Sequence, residues 1–217
     1  MIEDDRISMY IHSLDTPLSP KLAEIERQAL ADEVPIIKKP TQTLLQFLVR
    51  MKKPAKILEV GCAVGFSAVL MSEEMPLIGH ITTIEKVPQR IAKAKENFQF
   101  AEKTDKITLL EGDAADILKN LVENNEKYDM IFMDAAKGQY LHFFEYIIKL
   151  LNTDGLLVSD NVLQDGDIVE SRYAIIKRNR TIHSRMREYL YLLTHHEELQ
   201  TVILPMGDGV TLSTKLN

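Results

Sequence analysis

The amino-acid sequence predicts an α/β fold, in which a mostly parallel seven-stranded sheet carries helices on both faces and ends in an antiparallel C-terminal hairpin. Five apolar runs of strand length alternate with amphipathic segments of helix length, which is typical of a parallel sheet covered on both faces. Two further runs are joined only by Gly207-Asp208-Gly209, and so short a connection favours antiparallel pairing.

Three helical segments are expected before the first strand, and they form a predicted lid or dimer surface in residues 1–52. Their predicted spans are 4–14, 19–34 and 41–51, with breaks at Pro17, Pro20, Pro35 and Pro40. Residues 53–217 then hold the sheet. Because 217 residues with 45% hydrophobic content can bury one sizeable core, and no linker divides them, we expect a single domain.

The strands follow in order along this core. The five crossover strands are predicted at 56–60, 80–85, 106–112, 128–134 and 155–161, and the hairpin strands at 200–206 and 210–215. No internal repeat or low-complexity segment interrupts this pattern.

Composition indicates the cellular compartment in which we expect the protein. The single cysteine, Cys62, excludes an intramolecular disulfide and is compatible with a reducing cytosol. The N-terminal residues lack the basic and then apolar order of a signal peptide, and no run of about 18 apolar residues is present. We therefore expect a cytoplasmic protein with no membrane contact. The net charge of −6 argues against nucleic-acid binding by the surface as a whole.

The first strand runs directly into a glycine turn that predicts a binding site. Gly61 and Gly65 allow the backbone to approach a ligand, and the helix that follows offers free N–H groups. Glu59 would repel a phosphate but can accept from the ammonium of an amino acid. Ala63 stands where the dinucleotide pattern requires glycine. The turn therefore favours S-adenosylmethionine over a dinucleotide.

Acidic residues at two strand ends extend this predicted site, because ligands of such sheets lie beyond the carboxyl ends of the strands. Glu85 follows Gly61 by 24 residues, where a carboxylate can accept from both ribose hydroxyls. Capping of a helix or solvation is the alternative. Asp113 or the Ala114 backbone could bond the adenine edge, or Asp113 could equally cap the next helix.

Three oxygen donors at the ends of the fourth and fifth strands predict a metal site. Asp134, Asp160 and Asn161 together suit Mg²⁺ and leave room for a bidentate substrate. The alternative is that both aspartates only cap helices. Lys137 lies three residues after Asp134, and a nearby divalent cation would favour its neutral amine, which can accept a proton. A surface lysine is the commoner role.

A basic segment, residues 171–187, departs from the acidic average. It holds six basic residues and no acidic ones: Arg172, Lys177, Arg178, Arg180, Arg185 and Arg187. Lys177, Arg178, Arg180 and Arg185 are the candidates for contact with an RNA backbone, and Tyr173, Tyr189 or Tyr191 could stack on a base. The alternative is a solvated helix face, since Met186, Leu190 and Leu193 keep helical spacing.

With these motifs, nearly the entire chain resembles the Mg²⁺-dependent O-methyltransferases that include catechol and caffeoyl-CoA methyltransferases. The predicted Rossmann-like sheet is also that of S-adenosylmethionine-dependent methyltransferases. The resemblance rests on Leu58-Glu59-Val60-Gly61, Phe66-Ser67-Ala68, Thr83-Ile84-Glu85, Phe132-Met133-Asp134-Ala135-Ala136-Lys137 with Tyr140, Asp160-Asn161-Val162 and Leu204-Pro205-Met206-Gly207-Asp208-Gly209.

The resemblance implies roles for particular residues. The implied cofactor contacts are Ile37, Glu59, Gly61, Ser67, Glu85, Asp113, Ala114 and Asp134. The implied Mg²⁺ ligands are Asp134, Asp160 and Asn161, and the implied base that deprotonates the substrate hydroxyl is Lys137. A homodimer is implied as well.

The substrate remains open between two hypotheses. In 5-hydroxyuridine the hydroxyl lies beside the O4 carbonyl, so the base could chelate Mg²⁺ as a catechol does. The chain also resembles bacterial methyltransferases that make 5-methoxyuridine at the tRNA wobble position, where an anticodon loop presents the base unpaired. The alternative substrate is a small catechol or caffeoyl-type phenolic. A non-catalytic cofactor-binding protein is a third possibility, and the joint presence of Asp134, Lys137, Asp160 and Asn161 counts against it.

Overall fold

The computed structural model of the protein describes residues 5–171 and 173–217. They form a seven-stranded sheet with helices on both faces. The strands are β1 Lys56–Val60, β2 His80–Glu85, β3 Ile107–Glu111, β4 Tyr128–Met133, β5 Leu151–Ser159, β6 Leu199–Leu204 and β7 Val210–Lys215. Their spatial order is β3-β2-β1-β4-β5-β7-β6. Strands β1 to β5 pair in parallel, while β7 is antiparallel to both β5 and β6. The predicted fold class is confirmed.

The fifth strand is longer than predicted. It begins at Leu151, four residues before the predicted start at Gly155, and its register against β4 shifts between Tyr128 and Met130. Asp154 has a φ of +59°, the left-handed conformation that is typical of a bulge or turn. A stretch that reads as a turn in the sequence is therefore an irregular part of the strand.

Eight α-helices surround the described sheet. They are α1 Asp5–His12, α2 Pro20–Ala31, α3 Lys39–Lys52, α4 Phe66–Glu74, α5 Pro88–Phe100, α6 Ala114–Glu123, α7 Tyr140–Leu150 and α8 Arg180–His195. Short 3₁₀ turns span Lys137–Gln139, Gln164–Val169 and Lys177–Asn179. The predicted helix start at Asp4 lies outside the described residues. The prediction that Pro20 and Pro40 break helices is wrong: both lie in a first helical turn, where a missing N–H costs nothing.

The core forms two layers, one on each face of the sheet. Along β1 the side chains alternate, so that Ile57 packs with α2 to α5 and Leu58 packs with α6 to α8. Leu22 of α2 and Leu45 of α3 are fully buried in the first layer. The second and third helices of the predicted N-terminal lid therefore also contribute to the core. The division at residue 52 and the single domain stay predictions.

Among the residues that the structure describes, no helix combines the length and the apolar character needed to cross a lipid bilayer.

Candidate functional site

A cavity of about 810 Å³ opens at the carboxyl ends of β1, β2, β4 and β5. This volume falls within the range of roughly 300–1,000 Å³ that is typical of small-molecule sites. Ten of the eleven residues predicted as catalytic, cofactor or metal contacts line it: Ile37, Gly61, Ser67, Glu85, Asp113, Ala114, Asp134, Lys137, Asp160 and Asn161. The fold therefore gathers residues from six parts of the sequence around one space.

The turn after β1 adopts positive φ angles, which glycine tolerates better than other residues. Gly61 has a φ of +106°, and a Cβ at this position would lie 2.1 Å from the carbonyl oxygen of Asp134. Ala63 adopts a φ of +47°, and its N–H donates to Glu85 Oε2 at 2.9 Å. The alanine that departs from the dinucleotide pattern therefore ties the turn to the end of β2.

Glu59 lies behind the cavity wall and is not among the residues that line it. Its carboxylate is fully buried and accepts hydrogen bonds from the hydroxyls of Ser67 and Thr83. Burial raises the pKa of Glu59 to about 7. The predicted direct contact with a cofactor therefore differs from the observed position, where Glu59 orients Ser67, which does line the cavity.

Glu85 presents a fixed carboxylate at the end of β2. Oε1 accepts from the N–H groups of Lys86 and Val87 at 2.9 Å each, in addition to the Ala63 bond to Oε2. A carboxylate has about four acceptor sites, so one remains for a ligand hydroxyl. The side chain is 7% exposed and lines the cavity. Its orientation is therefore set before any ligand binds.

Asp113 fulfils the capping alternative while also lining the cavity. Oδ1 accepts from the N–H of Ala115 at 3.0 Å and caps α6. Oδ2 lies 3.4 Å from Lys86 Nζ. Ala114 and Ala115 line the cavity beside it. The two predicted roles of Asp113 are thus compatible in one side chain.

Two of the three predicted metal ligands bind the ammonium of Lys137. Lys137 Nζ donates to Asp134 Oδ1 at 2.8 Å and to Asn161 Oδ1 at 2.6 Å. Asp160 lies next to them, 2% exposed, and burial together with the charge of Asp134 raises its pKa to about 7. Hard oxygen donors that already surround an ammonium are a set that fits Mg²⁺. Among the described residues no group of three His, Cys, Asp or Glu side chains could hold a metal, so this set depends on the Asn161 amide.

Three side chains at this site were not predicted from the sequence. Thr41 Oγ1 donates to Asp160 Oδ1 at 3.4 Å, which brings α3 to the site. Asp208 accepts from Asn161 Nδ2 at 2.9 Å and forms an ion pair with Lys38. Asp208 and Lys38 both line the cavity. The only sequence signal is the hairpin motif around Asp208, whose pattern indicates a turn.

Two buried tyrosines support the backbone at the ends of β4 and β5, which carries the predicted metal ligands. The hydroxyl of Tyr140 lies 3.1 Å from the carbonyl oxygens of both Met133 and Asp160, at the ends of β4 and β5. The Tyr189 ring packs edge-on against it, with centroids 5.3 Å apart, and its hydroxyl lies 2.7 Å from Ser159 Oγ. Both side chains are fully buried. Tyr189 therefore cannot stack on a base, and that prediction is wrong.

The basic segment lies beside the cavity. Arg185 donates to the carbonyl oxygen of Gly138 at 2.8 Å, in the 3₁₀ turn that begins at Lys137. Arg180 donates to the carbonyl oxygens of Ile175 and Tyr173, so its guanidinium also holds the preceding loop. The remaining candidate cations, Lys177 and Arg178, are exposed, and Arg172 lies outside the described residues.

Two exposed tyrosines flank this segment. The side chain of Tyr173 is 85% exposed. Tyr191 is also exposed, and its ring stacks on His195 with centroids 3.9 Å apart. Of the three tyrosines predicted to stack on a base, these two have a ring that solvent reaches.

Comparison with known proteins gives a consistent family. The family model described as O-methyltransferase matches residues 11–216. A catechol O-methyltransferase of Niastella koreensis is 35% identical over 127 residues, which are 58% of this chain and 58% of that protein. The chain therefore spans less than two thirds of that relative.

Solved structures match over more of the chain. A Staphylococcus aureus protein provisionally assigned as a caffeoyl-CoA O-methyltransferase has a TM-score of 0.83 and 31% identity, and 96% of each chain is covered. A methyltransferase of Podospora anserina, solved with bound SAH (S-adenosylhomocysteine), has a TM-score of 0.87 and 26% identity over 98% of this chain and 95% of that one.

Proposed function

The chain belongs to the O-methyltransferase family, and we propose that it transfers a methyl group from S-adenosylmethionine to a hydroxyl that has a second oxygen beside it, with Mg²⁺ as the metal. One observation carries this proposal. The oxygens of Asp134 and Asn161 surround the ammonium of Lys137 at one end of a cavity whose other walls are the glycine turn and Glu85. Donors for a cation, a candidate base and a nucleoside-sized space thus meet in one place.

The cofactor part of the proposal is supported by the cavity wall. The Gly61 turn would hold the amino-acid end, Glu85 would accept from a ribose hydroxyl, and the start of α6 at Asp113 and Ala114 would hold the adenine. Ile37 would cover the site from the N-terminal segment. The Podospora anserina relative binds SAH, the product of the same methyl donor.

The metal part of the proposal is supported by the donor chemistry. Asp134, Asp160 and Asn161 would hold Mg²⁺, with Lys137 displaced from between them. When bound, S-adenosylmethionine supplies the methyl group and Mg²⁺ supplies Lewis-acid stabilisation of a substrate oxyanion. The buried Asp160 carboxylate would keep water from one side of such an ion, and the Tyr140 hydroxyl fixes the backbone that carries the proposed ligands.

Lys137 is the proposed general base. Its Nζ would take the proton of the substrate hydroxyl once it leaves Asp134 and Asn161, and its 3₁₀ turn keeps it within reach of the same space. The other residues orient the reactants, and orientation alone can supply a large part of the rate enhancement.

For the substrate, we propose a 5-hydroxyuridine in the anticodon loop of tRNA. The bond from Arg185 to Gly138 supports this, because it joins the basic segment to the turn that carries Lys137. A nucleotide everted into the cavity would leave its phosphates beside Lys177, Arg178 and Arg185. The second candidate is a small catechol or caffeoyl-type phenolic, which the names of the Niastella koreensis and Staphylococcus aureus relatives favour.

Parallel methylation assays distinguish the two candidate substrates. Labelled S-adenosylmethionine is supplied with Mg²⁺ and either tRNA that contains 5-hydroxyuridine or caffeic acid. Labelling of the tRNA with little labelling of caffeic acid is the expected result. The reverse result would make the basic segment an ordinary solvated surface and the protein a small-molecule enzyme.

A homodimer is also proposed. Helix α1 exposes Ile7, Met9, Tyr10 and Ile11, and α3 exposes Phe47 and Met51. Exposed apolar side chains on these two helices favour burial against a second copy. Light scattering coupled to gel filtration should give twice the mass of one chain, and a mass of one chain would exclude it.

A further inference from the structure

We propose that Asp208 is a positioning residue that couples the N-terminal segment covering the cavity, residues 35–38, to the metal ligand Asn161. This inference rests on the proposed role of Asn161 as a Mg²⁺ ligand. Asp208 lies in the β6–β7 loop, 47 residues from Asn161 and 170 from Lys38 along the chain, and it contacts both.

The first part of the coupling is the orientation of the Asn161 amide. Nδ2 donates to Asp208 Oδ2 at 2.9 Å, and Oδ1 therefore faces Lys137 and the cation position. An amide can turn its nitrogen or its oxygen toward a given neighbour, and hydrogen-bond partners decide which. A carboxylate can only accept, so Asp208 selects the orientation in which the oxygen is free for a metal. Residues that orient metal ligands in this way typically influence affinity strongly.

The second part of the coupling is the fixed position of the loop that carries Asp208. Its carbonyl oxygen accepts from the N–H of Leu163 at 2.9 Å, and the carbonyl oxygen of Gly209 accepts from Val162 at 3.0 Å. A Cβ on Gly209 would lie 2.2 Å from Leu163 Cγ, so glycine is required for this close approach. The loop is therefore fixed to the backbone directly after Asn161.

The third part is the link to the N-terminal segment. The Lys38 ammonium forms an ion pair with Asp208 Oδ1, while Asn161 uses Oδ2. Ile37, the neighbour of Lys38, lines the cavity and is 5% exposed, and its carbonyl oxygen accepts from Gln42 Nε2 at 3.0 Å. The position of the segment and the orientation of the amide thus share one carboxylate.

A cofactor that binds beneath Ile37 would hold Lys38 against Asp208. Metal and cofactor affinities should then be coupled, and the coupling factor must be the same in both directions. Coupling of this kind typically changes affinity by roughly 5-fold to 150-fold. We expect SAH to tighten metal binding by at least fivefold.

The test measures Mn²⁺ affinity of the full-length protein by electron paramagnetic resonance, with and without SAH. Asp208→Ala should weaken Mn²⁺ binding by about 10-fold to 100-fold. Asp208→Asn keeps an oxygen that can accept from Asn161, but its amide can also turn its nitrogen there, so it should weaken Mn²⁺ binding measurably but less than Asp208→Ala. Lys38→Met should retain Mn²⁺ binding but lose most of the SAH effect. Lys56→Met, which removes an exposed ion pair with Glu126 at the amino end of β1, is the matched control and should match the wild type.

The outcomes are distinguishable. Wild-type affinity in Asp208→Ala, or an equal loss in Asp208→Ala and Asp208→Asn, would overturn the orienting role. An undiminished SAH effect in Lys38→Met would overturn the link to the N-terminal segment. Failure of the wild-type protein to bind Mn²⁺ would instead overturn the proposed metal site and this inference with it. If Asp208→Ala does not fold, wild-type Mn²⁺ affinity in Asp208→Asn would overturn the orienting role, and Lys38→Met still tests the link to the N-terminal segment.

Discussion

The ammonium of Lys137 lies 2.6 Å from the amide oxygen of Asn161, and the two residues are 24 positions apart at the ends of neighbouring strands. Asn161 holds this position with a φ of +58°, in the left-handed region that asparagine tolerates better than most residues. The same amide oxygen is a proposed metal ligand. Lys137 and a metal ion therefore compete for one place, and metal binding would release the amine to act as a base.

Replacement of Lys137 tests its role as that base. Lys137→Ala should lower the turnover number by about 10²-fold to 10⁴-fold, the usual contribution of a general base. SAH affinity should stay within about threefold, because the glycine turn and Glu85 are untouched. Turnover measured with labelled methyl donor, together with calorimetry of SAH binding, checks both parts. Turnover near that of the wild type would remove Lys137 from the base role.

Substitution of a proposed metal ligand should change the metal requirement. Asp160→Asn keeps the size of the side chain and a possible bond with Thr41 but removes the charge. We expect the Mg²⁺ concentration for half-maximal activity to rise by about tenfold or more. A Mg²⁺ titration of the methylation rate measures it. An unchanged midpoint would assign Asp160 a structural role.

The buried Glu59 predicts a pH dependence of stability. Because burial raises its pKa from 4.5 to about 7, the folded protein binds a proton more tightly than the unfolded chain. The associated stabilisation is complete below pH 4.5 and is lost as the pH rises through about 7. Glu59→Gln should therefore gain about 3 kcal/mol relative to the wild type between pH 4.5 and pH 8. Urea unfolding of both proteins at the two pH values measures this change, and a constant difference would contradict it.

The close approach at Gly61 predicts a large cost for a methyl group. Gly61→Ala combines a positive φ with a contact of 2.1 Å to a backbone oxygen. Gly166 has a similar φ of +98°, but no atom lies within 4 Å of the place that a Cβ would take, so Gly166→Ala is a matched control for the backbone strain alone. The control should lose about 1–3 kcal/mol of unfolding free energy and Gly61→Ala clearly more. Equal losses would mean that the site backbone yields to the added methyl group.

Charge reversal tests the RNA proposal. Lys177→Glu with Arg178→Glu changes two exposed cations, whereas Arg180 and Arg185 also bond backbone carbonyls and are poorer choices. The methylation of tRNA should fall at least tenfold and SAH affinity should not change, since RNA contacts are largely electrostatic. Lys95→Glu with Lys119→Glu reverses the charge of two exposed lysines outside the basic segment and is the charge-matched control. Unchanged activity on tRNA would contradict the proposed role of the basic segment in RNA binding.

Much of the fold was predictable because its signals are local. The apolar runs of β1 and β2 end at a glycine or an acid, and the predicted bounds 56–60 and 80–85 agree with the structure. The carboxyl ends of parallel strands lie along the same side of a sheet, so Asp134 and Asn161 could be expected near each other. The O-methyltransferase family is confirmed by the family model that matches residues 11–216, whereas the metal and the tRNA substrate stay predictions.

The contacts that complete the site were not predictable. Thr41 and Asp160 are 119 residues apart, and Lys38 and Asp208 are 170 apart, so neither periodicity nor a motif joins them. Glu59 was expected to contact the cofactor because its charge is suitable, but the sequence does not reveal that Ser67 lies in front of it. Distances between such residues depend on how the helices pack.

Metal dependence of methyl transfer is the most direct test of the central claim, that Asp134, Asp160, Asn161 and Lys137 form a metal-assisted methyltransferase site. The rate of transfer from labelled S-adenosylmethionine is measured with Mg²⁺, with excess chelator, and after Mg²⁺ is restored, on both 5-hydroxyuridine tRNA and caffeic acid. The account predicts that chelator abolishes transfer to the preferred substrate and that Mg²⁺ restores it. Full transfer in chelator would contradict it.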